Sequence, residues 1–197
     1  AGLAVAAGPI TAALFQRGAF DAAASAASAS ALIAYAAGLP AFVLVKVFAP
    51  AFFARGDTSA PVRIGILSVA VNLALNLAFM NVLGHVGVAL ATSIAAWVNG
   101  GLLAWLLLRR GHLVLDRRCR RVLPRLVLAS VIMAALVFAL GLALEGLLPM
   151  LRAGCMILLG MAVFTLAGVA LGAFRPREVL RQLRRKTPRS AAPANPA

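Results

Sequence analysis

Four long stretches of the chain, residues 62–82, 87–108, 126–144 and 153–174, carry no charged side chain except Arg63 at the first boundary. An α-helix rises about 1.5 Å per residue, so about 20 apolar residues span the ~30 Å hydrocarbon core of a bilayer. Inside that core only a helix or a closed barrel satisfies its own backbone, and runs this long and uniformly apolar select the helix. A fifth stretch, 26–53, is longer, with Lys46 inside it and Gly38, Pro40 and Pro50 along it. Its length permits tilt or a kink. Residues 1–15 are also apolar, with Gly8-Pro9 interrupting them. They lack the basic leader of a signal peptide and read as the tail of a helix that begins upstream. The predicted fold is all-α, a polytopic transmembrane helix bundle with five complete spans and one truncated N-terminal span.

Hydrophobic residues are 63% of the chain and charged residues 12%. That is about half the charged share of a soluble domain, too little to cover a water-exposed surface. The net charge of +14 would, taken alone, suggest a nucleic-acid partner. Its distribution excludes one, because the cations lie in short blocks between uncharged runs. The predicted connections are 16–18, 55–58, 81–85, 109–121 and 145–152. The second and fourth, with the bordering Arg63 and Arg125 and the segment after 174, hold sixteen of the nineteen cations. Arg17 and Arg152 fall on the opposite side and Lys46 on neither. Basic loops stay in the cytoplasm, which places both basic loops and the C-terminus there.

Cys119 and Cys155 then lie on opposite faces, so they form no disulfide. Neither has a His or Cys neighbour to make a metal site, no cofactor is implied, and His85 and His112 are isolated loop residues. Asp57 or Thr58 can cap the helix that Pro61 enters. After residue 174, positions 175–186 place Val179, Leu180 and Leu183 on one side of a possible helix and Arg on the rest. That pattern suits anionic headgroups.

Ser68, Asn72 and Asn76 recur every four residues and form one helical stripe. Amides facing lipid would be unsatisfied, so the stripe faces other helices or a cavity. Thr92 and Asn99, seven apart, mark a similar face on the next span. One reading is interhelical hydrogen bonding that holds the bundle together. The other is a solute pathway for which Asn72, Asn76 and Asn99 are binding candidates. Gly168 and Gly172 make a GxxxG pair, for which helix packing is the default. Lys46 stands about nine residues, ~13 Å of rise, from Arg55, near the middle of the core. An ammonium at that depth costs at least ~2.5 kcal/mol, which makes Lys46 a substrate-binding candidate facing a watery cavity or a partner.

Residues 35–62 read YAAGLPAFVLVKVFAPAFFARGDTSAPV. The string KVxAPxFxARxDTxxPV within them resembles the tenth membrane helix and following loop of bacterial lipid II flippases, the MurJ/MviN family. Leu14-Phe15-Gln16-Arg17-Gly18-Ala19-Phe20 resembles the outer turn before that helix, and the later spans follow in matching order. The resemblance implies a fourteen-helix transporter of the MOP superfamily, two six-helix lobes around a central cavity plus a final helix pair. This chain would supply the tail of helix nine and helices ten to fourteen. Residues 1–108 would then be C-terminal-lobe helices, 109–125 a basic cytoplasmic loop, 126–174 the final helix pair and 175–197 a basic cytoplasmic tail.

On the same resemblance the activity is translocation of a lipid-linked peptidoglycan precursor across the cytoplasmic membrane by alternating access. The implied partners are that precursor, membrane lipids and the N-terminal lobe of the same protein. The final pair would border a groove for the polyprenyl tail. Polysaccharide-unit flippases and drug or cation antiporters share the architecture and are the alternatives. An enzyme would need a catalytic constellation at membrane depth, whereas Asp21, Asp57, Asp116, Glu145 and Glu178 all fall at loops or the tail.

Overall fold

The computed structural model describes residues 1–15, 22–113, 116–144, 146 and 148–170. All secondary structure among them is helical: α1 (Gly2–Val5), α2 (Ala7–Phe15), α3 (Ala22–Phe53), α4 (Ser59–Arg109), α5 (Arg117–Ala143) and α6 (Pro149–Ala170). Four helices, α3 to α6, are long and apolar enough to cross a membrane. Their outward faces are hydrophobic. Ile66, Val69, Leu73 and Leu77 along one side of α4 are each more than half exposed. Such a continuous apolar surface suits lipid and not water. The predicted turn at 16–18 and the basic segment at 175–186 lie outside the described residues, as does Gly172 of the glycine pair.

Helix α4 is 51 residues long and would measure ~76 Å if straight, more than twice the hydrocarbon core. It reverses at Gly84, where φ is 55° and ψ is −134°, a conformation that only glycine adopts without strain. The two limbs, 59–83 and 85–109, run antiparallel. The Ser68 hydroxyl donates to the Ala95 carbonyl at 2.7 Å, and a Cβ on Gly87 would come within 2.7 Å of Phe79. Thus the separate stretches 62–82 and 87–108 reappear as limbs of one hairpin.

The most extensive contact in the fold is between α3 and α4. Ser93 donates to the Ala34 carbonyl at 2.6 Å and Trp97 Nε1 to the Ala37 carbonyl at 2.9 Å. Gly100 approaches the Ala41 carbonyl. The sequence offset is nearly constant across these pairs, so α3 and the second limb are parallel and in register. Gly38 makes this closeness possible, since a Cβ there would sit 2.5 Å from Ser93 Oγ. Helices α5 and α6 form a second packed pair, and α1 and α2 lie between the two groups.

Helix boundaries differ from the sequence reading, which placed 81–85 and 149–152 in connections although only Gly84 leaves the helix in the first and the second is already α6. The break in the first segment falls at Ala6, ahead of Gly8-Pro9. Pro9 has no N–H to return to the Val5 carbonyl, so the preceding turn gives way and Pro9 sits within the first turn of α2. The connection predicted over 109–121 is also shorter, because Arg117 to Arg121 are already helical at the start of α5. Arginine is a good helix former, and charge patterning alone does not mark where a helix ends.

At the Arg-rich end, Phe52, Ala60, Leu103 and Leu107 form a buried cluster joining α3 to both limbs of α4. Asp57 locks it. One carboxylate oxygen accepts from the Ala60 N–H at 3.1 Å and the Ser59 hydroxyl at 3.0 Å. The Thr58 side chain makes no cap bond. The other oxygen pairs with Arg110 at 2.5 Å, and that guanidinium lies over the Phe52 ring. The Arg110 hydrogen bond, followed by those from Ala60 and Ser59, holds the Asp57 pKa down at about 2, below its ordinary 3.8.

A carboxylate with a depressed pKa contributes its stability above the ordinary value and loses it as pH falls through the folded one. In detergent at pH 7, Asp57→Ala therefore lowers the thermal unfolding midpoint more than Asp57→Asn, since Asn still caps the helix. The gap between wild type and Asp57→Asn closes as pH is lowered from 5 to 2. Equal midpoints at pH 7 would show that the ion pair contributes nothing.

Candidate functional site

The stripe of α3 that meets α4 is Ala34, Gly38, Ala41, Val45, Phe48 and Phe52. Lys46 is exposed and lies about 120° round the helix from that stripe, near Leu39, Val43 and Pro50. It makes no hydrogen bond or ion pair with the described residues. Two rulers give its depth. On its own helix it is ~13 Å of rise from Arg55. By the parallel register it is level with Trp105, about one turn or ~6 Å from Arg109. Together these put Lys46 in the Arg-rich half of the core, shallower than the midplane expected from α3 alone.

The stripe on the first limb of α4 divides. Ser68 is buried and satisfied across the hairpin by the Ala95 carbonyl. Asn76 Nδ2 donates to Asn72 Oδ1 at 2.7 Å within one helix. Asn76 Oδ1 is shut away from solvent with no partner among the described residues. Thr92 bonds back to the Val88 carbonyl one turn earlier, as threonine commonly does in apolar helices. Asn99 is partly buried and makes no hydrogen bond with the described residues.

The Ser68–Ala95 contact sets the antiparallel register, which puts Asn72 level with residue 91 and Asn99 ~12 Å away along the axis. Lys46 is farther still toward the Arg-rich end, ~20 Å from the Asn72 level. The four candidates are therefore not one constellation. They are an amide pair, a separate amide and an unpartnered cation on another face.

A feature that the residues alone did not reveal, although the resemblance implied a groove beside the final helix pair, lies between α1, α5 and α6. It is an apolar groove of about 510 Å³ whose walls include Met133 and Val137 of α5, Met156 and Gly160 of α6, and Ile10 of α2. Met156 and Val137 are almost fully buried and pack on Ala6. Two glycines keep the walls close. A Cβ on Gly160 would touch Val137 at 3.4 Å, and one on Gly141 would press on Met156 at 3.1 Å. In helices that are apolar all round, the side facing a groove has no distinguishing residue type, so no signal could have located it.

Arg152 sits beyond the end of this groove that is remote from the Arg-rich loops. Its Nη2 donates to the Gly141 carbonyl at 2.5 Å, one of the last carbonyls of α5, without a helical donor among the described residues. Its Nε is buried with no partner among the described residues. The sequence pointed only to its side of the membrane.

A family profile described as lipid II flippase MurJ matches residues 1–167. Among curated proteins, the probable lipid II flippase MurJ of Rhizobium tropici is 37% identical over 189 residues, covering 92% of this chain and 36% of that protein. The probable lipid II flippase MurJ of Rhizobium meliloti is 44% identical over 130 residues, 66% of this chain and 24% of that protein. The lipid II flippase MurJ of Burkholderia cenocepacia is 36% identical over 128 residues, 65% and 25% respectively. The chain thus spans between about a quarter and just over a third of these relatives. Four apolar helices and a profile match over most of the chain make this a multi-pass membrane protein that belongs to the MurJ lipid II flippase family.

Proposed function

We propose that this chain is the C-terminal part of a transporter that moves a lipid-linked peptidoglycan precursor across the bacterial cytoplasmic membrane by alternating access. The profile match over residues 1–167 is the observation that carries the reading. In it, α3, the two limbs of α4, α5 and α6 are five crossings, and α1 with α2 is the end of a sixth that starts upstream. The parent has fourteen helices, residues 1–108 belong to its C-terminal lobe, and the basic segments 109–125 and 175–197 are cytoplasmic. Support for the orientation comes from Asp57 and Arg110, which tie the 55–58 turn to the end of α4 on one face. The loops richest in arginine therefore share a side, as the positive-inside rule requires.

Lys46 is the residue of this part that serves the substrate. Its face of α3 is turned away from every neighbouring helix described, and an ammonium in the core needs water, a counter-charge or a ligand. A cation in the cytoplasmic half of a central cavity meets the pyrophosphate of a precursor entering from that side. The N-terminal lobe completes the cavity. The amides Asn72, Asn76 and Asn99 act secondarily, lining or bracing the same lobe. The apolar chain of the precursor takes the groove between α5 and α6, whose soft methionine walls adapt to a flexible ligand.

The orientation predicts that a membrane-impermeant thiol reagent added to intact cells labels Cys155 and spares Cys119, both of which are exposed in the fold. Labelling of Cys119 alone would invert the topology.

For Lys46, a charge-assisted hydrogen bond to phosphate contributes ~1.5–3 kcal/mol. In the full-length protein, Lys46→Met should cut translocation about ten- to a hundredfold at equal membrane levels, while Lys46→Arg keeps most of it. Normal transport by Lys46→Met would remove Lys46 from the site.

A further inference from the structure

We propose that the outer end of the α5–α6 groove, with Arg152, is a seat for a glycerophospholipid of the outer leaflet. Its phosphate lies on the guanidinium and one acyl chain runs down the groove. The inference rests on the orientation above and deepens the reading of the groove as a chain-receiving surface. Arg152 is half-buried and permanently charged. No carboxylate among the described residues pairs with it. A cation drawn partly out of water needs a nearby anion, and a guanidinium matches a phosphate through parallel N–H donors. The bond from Nη2 to the Gly141 carbonyl already fixes the head group of Arg152, so its remaining donors are held in place.

Depth selects the occupant. The contact between Gly141 and Met156 puts Arg152 about one turn outward of Met156, at the end of the groove. From Arg152 down to Phe164, at the inner end, α6 rises ~18 Å. Half of a ~30 Å hydrocarbon core is ~15 Å. An amphiphile with its phosphate at Arg152 and its chain reaching Phe164 therefore has the length of one ordinary leaflet lipid. A polyprenyl chain is longer than this groove. A groove that releases such a chain would otherwise leave an apolar void, and a phospholipid from the surrounding leaflet fills it between transport events.

The test is native mass spectrometry of the full-length protein in detergent, offered phosphatidylglycerol and the phosphate-free dioleoylglycerol together. Wild type should retain phosphatidylglycerol about tenfold or more over dioleoylglycerol, a comparison that needs no variant to fold. Arg152→Gln should erase that preference and Arg152→Lys restore much of it. Gly160→Leu, which fills the groove and leaves Arg152 in place, should lower retention of both lipids. Two results overturn the proposal: equal retention of the two lipids by wild type, or undiminished phosphatidylglycerol preference in Arg152→Gln. The second is expected if Glu145, seven residues earlier in the chain, is the partner of the guanidinium. Translocation measured with the same proteins reconstituted in vesicles separates the two readings, since an absent phosphatidylglycerol preference with intact transport removes only this one.

Discussion

The fold depends on how backbone polar groups are satisfied where no water reaches them. Helix α3 contains Pro40 and Pro50, and each removes an N–H that a carbonyl four residues earlier would have used. In hydrocarbon such a loss is severe unless a neighbouring helix compensates. Pro40 frees the Ala36 carbonyl, and the second limb of α4 packs against that stretch with Ser93 and Trp97 donating to the adjacent Ala34 and Ala37 carbonyls. Donors that reach so close require small residues between the axes. Hence Gly38 faces Ser93 and Gly100 faces Ala41. Polar side chains and glycines in these two helices solve one problem together.

The consequence is mechanical asymmetry. Helix α3 and both limbs of α4 are joined by close backbone approach, by buried hydroxyl bonds and by the Phe52 cluster under Asp57 and Arg110. They form one tightly packed unit. Helices α5 and α6 pack on each other and on the α1–α2 segment, with a groove left between them. Interiors packed at full density transmit displacement, whereas an open apolar groove accommodates a mobile chain. Lys46 stands on the tightly packed unit, and the groove lies beside the more loosely joined pair.

Much of this was legible in the sequence because the membrane imposes length. The stretches 62–82 and 87–108 became the limbs of α4, and the run over 26–53 became most of α3. Asp57 was one of two caps anticipated, and geometry chose it over Thr58. What was not legible depended on contacts between helices. Lys46 looked central when measured along α3 alone, and only the register with α4 shows how close Arg109 is. Asn72 and Asn76 bond each other, while Asn99, on a similar stripe, stands apart from them. Apart from the resemblance, nothing in the residues showed the groove, because every residue type along it also suits lipid.

Arg152 shows why a charge count and a charge role differ. For topology it is one cation against many, and its exact position carries no information. In the fold the same side chain bonds the end of α5, where the Gly141 carbonyl has no helical donor among the described residues. That bond ties the two helices together at the end opposite the Arg-rich loops, where the connecting segment is short. A lysine would supply a point charge there, but only a guanidinium can bond one carbonyl and still present further fixed donors. A residue needed only for topology would be free to extend into solvent. This one is drawn against the protein, with its Nε buried, and the helix pair around the groove is held by it.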